Sequence, residues 1–133
     1  MAGFQLSSSF QDNPYSAAGD SLRIEEWRGS APGELHVHHD CDIAWHVLEG
    51  TLRFRVENGE FTVNTGETVF FPAGTPHSYG EGDEARYLVI APPKLFNLFQ
   101  QLRSARMGRP HTDWGNGPDR AIYEKFDSEL LKT

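Results

Sequence analysis

The stretch that decides the fold of this chain is Gly66-Glu-Thr-Val-Phe-Phe-Pro-Ala-Gly-Thr-Pro-His77. Its run Thr68–Phe71 is rich in β-branched and aromatic residues, which predicts a short strand. Residues 72–76 contain two prolines and a glycine, and this composition predicts a tight turn. His77 opens the next strand directly behind that turn. The stretch therefore predicts a strand, a rigid turn and a histidine held at a defined place.

A pair of histidines lies upstream, at His36 and His38. Alternate side chains of a strand share a face, so both imidazoles can reach one ion from the same side. His77 is the expected third ligand. Neutral imidazoles suit a divalent transition metal, and the expected cofactor is iron, manganese, nickel, cobalt or zinc. Three protein ligands leave coordination positions for water, substrate or dioxygen, as a catalytic site requires.

Short strand patterns recur through the middle of the chain. Leu52, Phe54 and Val56 alternate with polar residues, which is the period of a half-buried strand. Asn58-Gly59 follows directly and predicts a type I′ hairpin. The other strand patterns cover residues 21–27, 35–39, 43–50, 60–64, 68–71, 77–79 and 85–90. Short strands at this spacing predict an all-β barrel or a double-sheet jelly roll.

Both ends of the chain differ from this middle part. Apolar residues recur at helical spacing around residues 95–102, and a second helix is predicted from about 118 to 131. Three parts are therefore predicted: an N-terminal arm at 1–20, a barrel at 21–92 and a C-terminal helical extension at 93–133. We expect the helices to cover the barrel or an oligomer surface.

The composition limits the classes of function. The 133 residues fit one domain, and the net charge of -7 without a basic stripe argues against nucleic acid as a partner. No stretch approaches the roughly 20 apolar residues that span a bilayer, and residues 1–10 do not have the pattern of a signal peptide. The one cysteine, Cys41, cannot form an internal disulfide, so a cytoplasmic location is expected. Its neighbours Asp40 and Asp42 should raise its pKa.

The two histidine segments resemble the two motifs of the cupin family. The first family motif is His-x-His, then three or four residues, Glu, six residues and Gly. In this chain it is matched by His36, His38 and Gly50. The second is Gly, five residues, Pro-x-Gly, two residues, His, three residues and Asn, which residues 66–77 resemble. The resemblance covers residues 21–90. It implies a double-stranded β-helix (jelly-roll) barrel, here with two C-terminal α-helices, that has its site inside and forms a homodimer.

Two positions depart from the family motifs. The family glutamate falls on Ile43, counted back from Gly50, and isoleucine cannot ligate a metal. Asp42 is one residue away, and its parity points to the other strand face unless a bulge re-aims it. The asparagine that closes the second motif falls on Glu81, in a turn. The expected site is therefore a three-histidine set without a carboxylate, which resembles the arrangement in some cupin oxygenases.

Aromatic residues on the same strand faces are expected to line the site. The candidates for contact with a small-molecule ligand are Trp45, Phe54, Phe71 and Tyr79. Tyr79 is also the candidate catalytic acid or base. The alternative is that these aromatic side chains only fill the core.

Three functional hypotheses follow. The first is a metal-dependent enzyme acting on a small organic molecule, most naturally with dioxygenase-like chemistry. A Lewis-acid isomerase, cyclase or lyase is equally compatible with the ligands, because an ion can polarise a carbonyl. The second hypothesis is a non-catalytic small-molecule-binding module, which Ile43 favours. In the third, the barrel mainly supports an oligomer through the C-terminal helices.

Overall fold

A computed structural model of the chain describes residues 14–28, 35–80, 85–106 and 118–131. The strands within these residues are β1 (Ser16–Ala18), β2 (Arg23–Arg28), β3 (His36–His38), β4 (Ile43–Glu49), β5 (Thr51–Val56), β6 (Gly59–Asn64), β7 (Thr68–Phe71), β8 (Ser78–Gly80), β9 (Arg86–Ala91) and β10 (Ser128–Leu130). The helices are α1 (Pro93–Arg106) and α2 (Pro118–Lys125). No helix in the described ranges has both the length and the apolar character that crossing a membrane requires.

The strands form the two sheets of a jelly roll. One sheet has the order β1-β2-β9-β4-β7, and the other side consists of β6-β5-β8 and β10-β3. A backbone bridge between His36 and His77 joins these last two groups. The predicted all-β jelly-roll architecture is therefore confirmed. Its pairings bring β3 next to His77, although the two are far apart in the sequence.

The core lies on the inner faces of the strands and follows the period of two. On β5, Leu52 and Phe54 are fully buried, whereas Arg53 and Arg55 are exposed. Trp45 on β4 is buried by the same alternation. Burial of each large apolar side chain contributes about 1.5–3 kcal/mol to folding, and this contribution fixes which strand face points inward.

The hairpin between β5 and β6 is confirmed, but its turn is not the predicted one. Val56 pairs with Gly59, so the loop consists of Glu57 and Asn58. Neither loop residue has a positive φ, whereas a type I′ turn requires positive φ at both central positions. Gly59 has a φ of 153° and begins β6. The turn therefore lies one residue earlier than the Asn58-Gly59 pair predicted.

Gly50 connects β4 to β5 at a place where only glycine fits easily. Its φ is 77°, in the left-handed region that a side chain disfavours. A Cβ at this position would also lie 3.2 Å from the Cα of Ala85. The motif glycine thus combines a special backbone conformation with a close approach to Ala85, the residue directly before β9.

The C-terminal segment contains a strand that the sequence analysis did not predict. The second helix ends at Lys125 rather than near Leu131, and β10 then pairs with β3, with Ser128 opposite His38. Asp127, with a φ of 55°, lies between the two elements. The predicted helix was too long because a three-residue strand has almost no local signal, and pairing with β3 decides its structure. At the other end of the chain, β1 lies within the predicted N-terminal arm and pairs with β2 of the barrel.

Candidate metal centre

The three histidines of the sequence motifs come together inside the fold. His36, His38 and His77 each offer a ring nitrogen, and these three atoms lie within 4.8 Å of one another. Their exposed fractions are 7%, 2% and 1%. The ring centroids of His36 and His77 are 4.6 Å apart, and those of His38 and His77 are 5.4 Å apart. The geometry thus offers three buried nitrogen donors to one small volume.

Backbone hydrogen bonds hold these side chains in register. The His36 N–H donates to the His77 carbonyl at 3.0 Å, and the His77 N–H donates to the His36 carbonyl at 2.9 Å. The Gly74 N–H donates to the His38 carbonyl at 2.8 Å. The proline- and glycine-rich turn is therefore attached to β3 itself, which fixes His77 relative to the other two histidines.

A chain of hydrogen bonds defines which nitrogen of His38 carries the proton. The Ser128 hydroxyl donates to the Phe126 carbonyl at 3.2 Å. Ser128 Oγ can then accept from Nδ1 of His38, 2.7 Å away. Because Nδ1 donates in this arrangement, the lone pair lies on Nε2. Metal-ligating histidines characteristically use their second nitrogen in this way.

His77 has the same tautomer for a similar reason. Its Nδ1 donates to the Thr75 carbonyl at 2.9 Å, and a carbonyl can only accept. The Nε2 atoms of both His38 and His77 are buried and have no hydrogen-bond partner. A buried acceptor without a partner costs about 1–3 kcal/mol. A cation between the rings would satisfy both atoms at once, so the residues present fit a divalent metal ion.

Burial also keeps these imidazoles in the neutral form that ligates metals. It is the main cause that lowers the pKa of His38 to about 3, and the neighbouring His77 contributes in the same direction. Burial likewise lowers the pKa of His77. Near neutral pH, metal binding would therefore displace no proton from either ring.

Three of the predicted lining residues contact the histidines or one another. Phe71 stacks on the His77 ring at 4.4 Å, and the Trp45 ring lies 5.6 Å from it. Phe54 packs against Trp45 at 5.1 Å. All three side chains are buried, as both the lining and the filled-core interpretations require. Their contact with a substrate stays a prediction.

The roles of Tyr79 as a catalytic acid or base and as a ligand contact also stay predictions. Its backbone belongs to β8 and pairs with Phe54. Its side chain lies outside the described residues. Glu81 also lies outside them.

The position of the family glutamate is apolar in the structure. Ile43 is 1% exposed and faces the core. Asp42 points away, as its parity predicts, and its Oδ1 accepts a hydrogen bond from the Ala73 N–H at 2.8 Å. Within the described ranges, the group of side chains able to hold an ion contains the three imidazoles and no carboxylate. Asp42 instead stabilises the turn that precedes His77.

The other histidines of the described strands and turns face away, as strand parity predicts. Nδ1 of His46 lies within hydrogen-bond distance of the Thr68 hydroxyl oxygen, at 2.7 Å. His39 lies beside Glu129, with its Nε2 3.3 Å from the carboxylate. Neither belongs to the three-histidine group.

The contribution of the C-terminal segment to this centre is not visible in the sequence pattern. Ser128 contacts His38 across a separation of 90 residues, and no local pattern announces such a pairing. The Tyr123 ring lies 5.2 Å from that of His36, and the Phe99 ring lies 6.4 Å from that of His38. Helical spacing identifies Phe99 and Tyr123 as packing residues, but not as neighbours of the histidines.

A charged cluster fastens this segment to the barrel. Lys94 at the start of α1 forms an ion pair with Asp40 at 2.8 Å and a second one with Asp127. The hydrogen bonds to Asp127 and Asp40 raise the pKa of Lys94, and Lys94 lowers the pKa of Asp40. The His39 N–H also donates to the Asp127 carbonyl at 2.9 Å. These contacts hold the residues just before β10 beside the end of β3.

Comparison with known proteins agrees with the two motifs. The family model described as a cupin domain matches residues 22–91, which is more than half of the chain. The chain belongs to the cupin family.

This cupin is also similar to two curated proteins over short segments. It is 35% identical over 43 residues to an uncharacterized protein of Methanocaldococcus jannaschii, and 40% identical over 45 residues to quercetin 2,3-dioxygenase of Bacillus subtilis. The aligned segments cover 32% and 34% of the cupin chain. They span only 34% of the first relative and 13% of the second.

A solved structure shows the same fold. The cupin resembles a cupin-2 domain protein from Shewanella frigidimarina with a TM-score of 0.54 and 24% sequence identity. The match covers 67% of the cupin chain and 84% of the other protein. At this identity the likeness concerns the fold and not the activity.

Proposed function

We propose that this cupin is a metal-dependent enzyme that acts on a small organic molecule, with dioxygenase-like chemistry. The observation that carries the proposal is the pair of buried Nε2 atoms on His38 and His77, which have no hydrogen-bond partner. Both belong to a group whose three ring nitrogens lie within 4.8 Å. His36, His38 and His77 would hold the ion.

The chain's own residues prepare the site for this role. A divalent ion supplies Lewis acidity and open coordination positions when bound, and iron also supplies redox chemistry toward dioxygen. Ser128 and the Thr75 carbonyl keep protons on the Nδ1 atoms, so the Nε2 lone pairs stay available. Phe71 and Trp45 pack against His77 and exclude water from that side.

The choice of dioxygenase-like chemistry has two supports. The local similarity to quercetin 2,3-dioxygenase is one, although it spans 45 residues only. The other is the ligand set, since three neutral imidazoles leave the charge of an ion uncompensated and so favour an anionic oxygen of a substrate as a further ligand. The same set is also suited to a Lewis-acid isomerase, cyclase or lyase.

The second candidate is a non-catalytic small-molecule-binding cupin. Ile43 favours it, because this residue is buried where the family motif has a glutamate. In this case the site would bind a ligand tightly without converting it.

Elemental analysis tests the metal site. Protein purified without chelator should contain close to one equivalent of a transition metal. The double variant His36→Ala, His77→Ala should contain almost none. His46→Ala is the matched control, because His46 is bonded to Thr68 outside the group and its loss should leave the metal content unchanged. Full metal content in the double variant would refute the ligand assignment.

Oxygen consumption separates the candidate activities. Phenols and diketones are supplied to the metal-loaded protein with and without dioxygen. Dioxygen uptake coupled to substrate loss supports dioxygenase-like chemistry, and turnover without dioxygen supports the Lewis-acid alternative. Tight binding without turnover under both conditions supports the binding module.

The proposal includes a homodimer. Phe70 on the edge strand β7 is 58% exposed, although it is a large apolar side chain. Light scattering coupled to size exclusion should give twice the chain mass of 15.0 kDa. A mass of one chain across the accessible concentration range would contradict this part of the proposal.

A further inference from the structure

A cavity of about 230 Å³ lies between strand β2 and helix α1. On the strand side it is lined by Arg23, Glu25 and Trp27. Each of these residues pairs with a buried core residue of β9, and side chains of directly paired residues share a face. Arg23 and Glu25 therefore stand on the inner face of the sheet, where the period of two predicts apolar residues. The side chains of Arg23 and Glu25 are 40% and 25% exposed, so these two charges are only partly buried beside the cavity.

Aromatic rings form the other walls of the cavity. The Trp27 ring lies 6.1 Å from Phe96 and 5.2 Å from Phe99, both edge to face. The Phe99 ring also lies 6.4 Å from that of His38. Phe99 is therefore in contact with both the cavity and the three-histidine group. A ligand in the cavity would be one aromatic ring away from the candidate metal centre.

The charges around the cavity do not cancel. Glu25 is already engaged, because its Oε1 accepts from Trp27 Nε1 at 3.0 Å and its Oε2 pairs with Arg23. The Nε atom of Arg23 is buried and has no hydrogen-bond partner. Arg103 lies over the Trp27 ring at 5.7 Å and has no carboxylate partner in the part of the chain that the structure describes. One net positive charge and an unsatisfied donor thus remain, and these complement an anion.

We propose that this cavity binds a small aromatic carboxylate with a single ring. The ring would pack against Trp27, Phe96 and Phe99, and the carboxylate would accept hydrogen bonds from Arg23 and Arg103. The cavity is smaller than the roughly 300 Å³ at which pockets for drug-sized ligands begin, which favours one ring over several. The aromatic carboxylate would be the small molecule on which the proposed enzyme acts. Only this link to catalysis rests on the proposed function.

Titration with benzoate tests the site in the full-length, metal-free protein kept in chelator. Proton–nitrogen correlation spectra report the indole N–H of Trp27, identified by comparison with Trp27→Phe, and the Arg23 Nε–H. Benzoate should shift both signals saturably. Cyclohexanecarboxylate lacks the aromatic ring and should bind about 2- to 10-fold more weakly. Benzyl alcohol lacks the charge and should bind more weakly by about tenfold or more. Absence of a saturable shift with benzoate would overturn the proposal.

Arginine variants locate the anion. Arg103→Gln and Arg23→Gln should each weaken benzoate binding by about tenfold or more. Arg55→Gln is the matched control, because Arg55 is exposed on β5 and lies outside the cavity. Arg103 is exposed, so its replacement tests the site even if Arg23→Gln disturbs folding. Equal benzoate affinity in Arg103→Gln and Arg55→Gln would overturn the assignment.

The metal content of protein purified without chelator separates this inference from the proposed function. Benzoate binding to a chain that never acquires metal would support the cavity and refute the metal site. Stoichiometric metal without benzoate binding would support the metal site and refute the proposal for the cavity.

Discussion

Ser128 on β10 contacts His38 on β3 across a separation of 90 residues. Its hydroxyl oxygen accepts a hydrogen bond from the protonated Nδ1 of His38 at 2.7 Å, and Nε2 is therefore presented to the other imidazoles. Replacing Ser128 by alanine should lower metal affinity by about 10- to 100-fold, because the ring loses both its orientation and its defined tautomer. Competition with a chromophoric chelator measures this change.

Two further variants make the Ser128 prediction specific. Ser128→Thr keeps the hydroxyl and should retain most of the affinity. Thr68→Val removes the hydroxyl that bonds His46, which is the same kind of contact outside the site, and should leave metal affinity unchanged. If Ser128→Ala binds metal as tightly as Thr68→Val, Ser128 has no positioning role.

Cys41 permits a prediction about pH. Its pKa is raised to about 11, first by burial and then by the hydrogen bond to Asp40, so the direction expected from its acidic neighbours is confirmed and burial is the larger cause. At pH 8 only about one thiol in a thousand is ionised, and the thiolate is the reactive form. Alkylation by iodoacetamide should therefore be at least 100-fold slower than in denaturant and should accelerate up to about pH 11. A rate near that of the unfolded chain at pH 8 would contradict this account.

At the scale of elements, two turn glycines allow the energetic cost of backbone strain to be measured apart from the cost of steric contact. Gly50 and Gly66 have φ values of 77° and 86°. A Cβ on Gly50 would meet the Ala85 backbone at 3.2 Å, whereas nothing lies within 4 Å of one on Gly66. Gly66→Ala should cost about 1–2 kcal/mol from φ alone, and Gly50→Ala should cost about 1 kcal/mol more. Urea unfolding of both variants gives the comparison, and equal costs would show that the approach of Ala85 has no energetic weight.

The sequence predicted those elements whose pattern is local. The alternation on β5 fixed its buried face, and the spacing of the two motifs indicated that His36, His38 and His77 would converge. It failed where pairing across the chain decides the structure. β10 has three residues and forms because β3 offers it a partner, so helical spacing extended α2 too far. The Asn58-Gly59 pair placed the hairpin correctly, but strand register and not the dipeptide determined which residues form the loop.

For the whole molecule, the candidate metal centre connects segments from distant parts of the chain. Two ligands lie on β3, the third precedes β8, and Ser128 on β10 orients one of them. An ion that binds only the folded arrangement stabilises the entire domain, by about 2.7 kcal/mol when its free concentration is a hundredfold above Kd. For a domain of this size, that free energy corresponds to a rise in Tm of roughly 10 °C.

Thermal unfolding of the chelator-treated protein, with and without added metal, therefore tests the site through the stability of the whole chain. The shift should disappear in His77→Ala, because the remaining two ligands stand on β3 alone and no longer tie that strand to the turn before β8. His46→Ala should retain the full shift, since His46 bonds Thr68 outside the group. An equal shift in His77→Ala would mean that the ion binds elsewhere on the chain. The buried Nε2 of His38 would then need another partner to explain its environment.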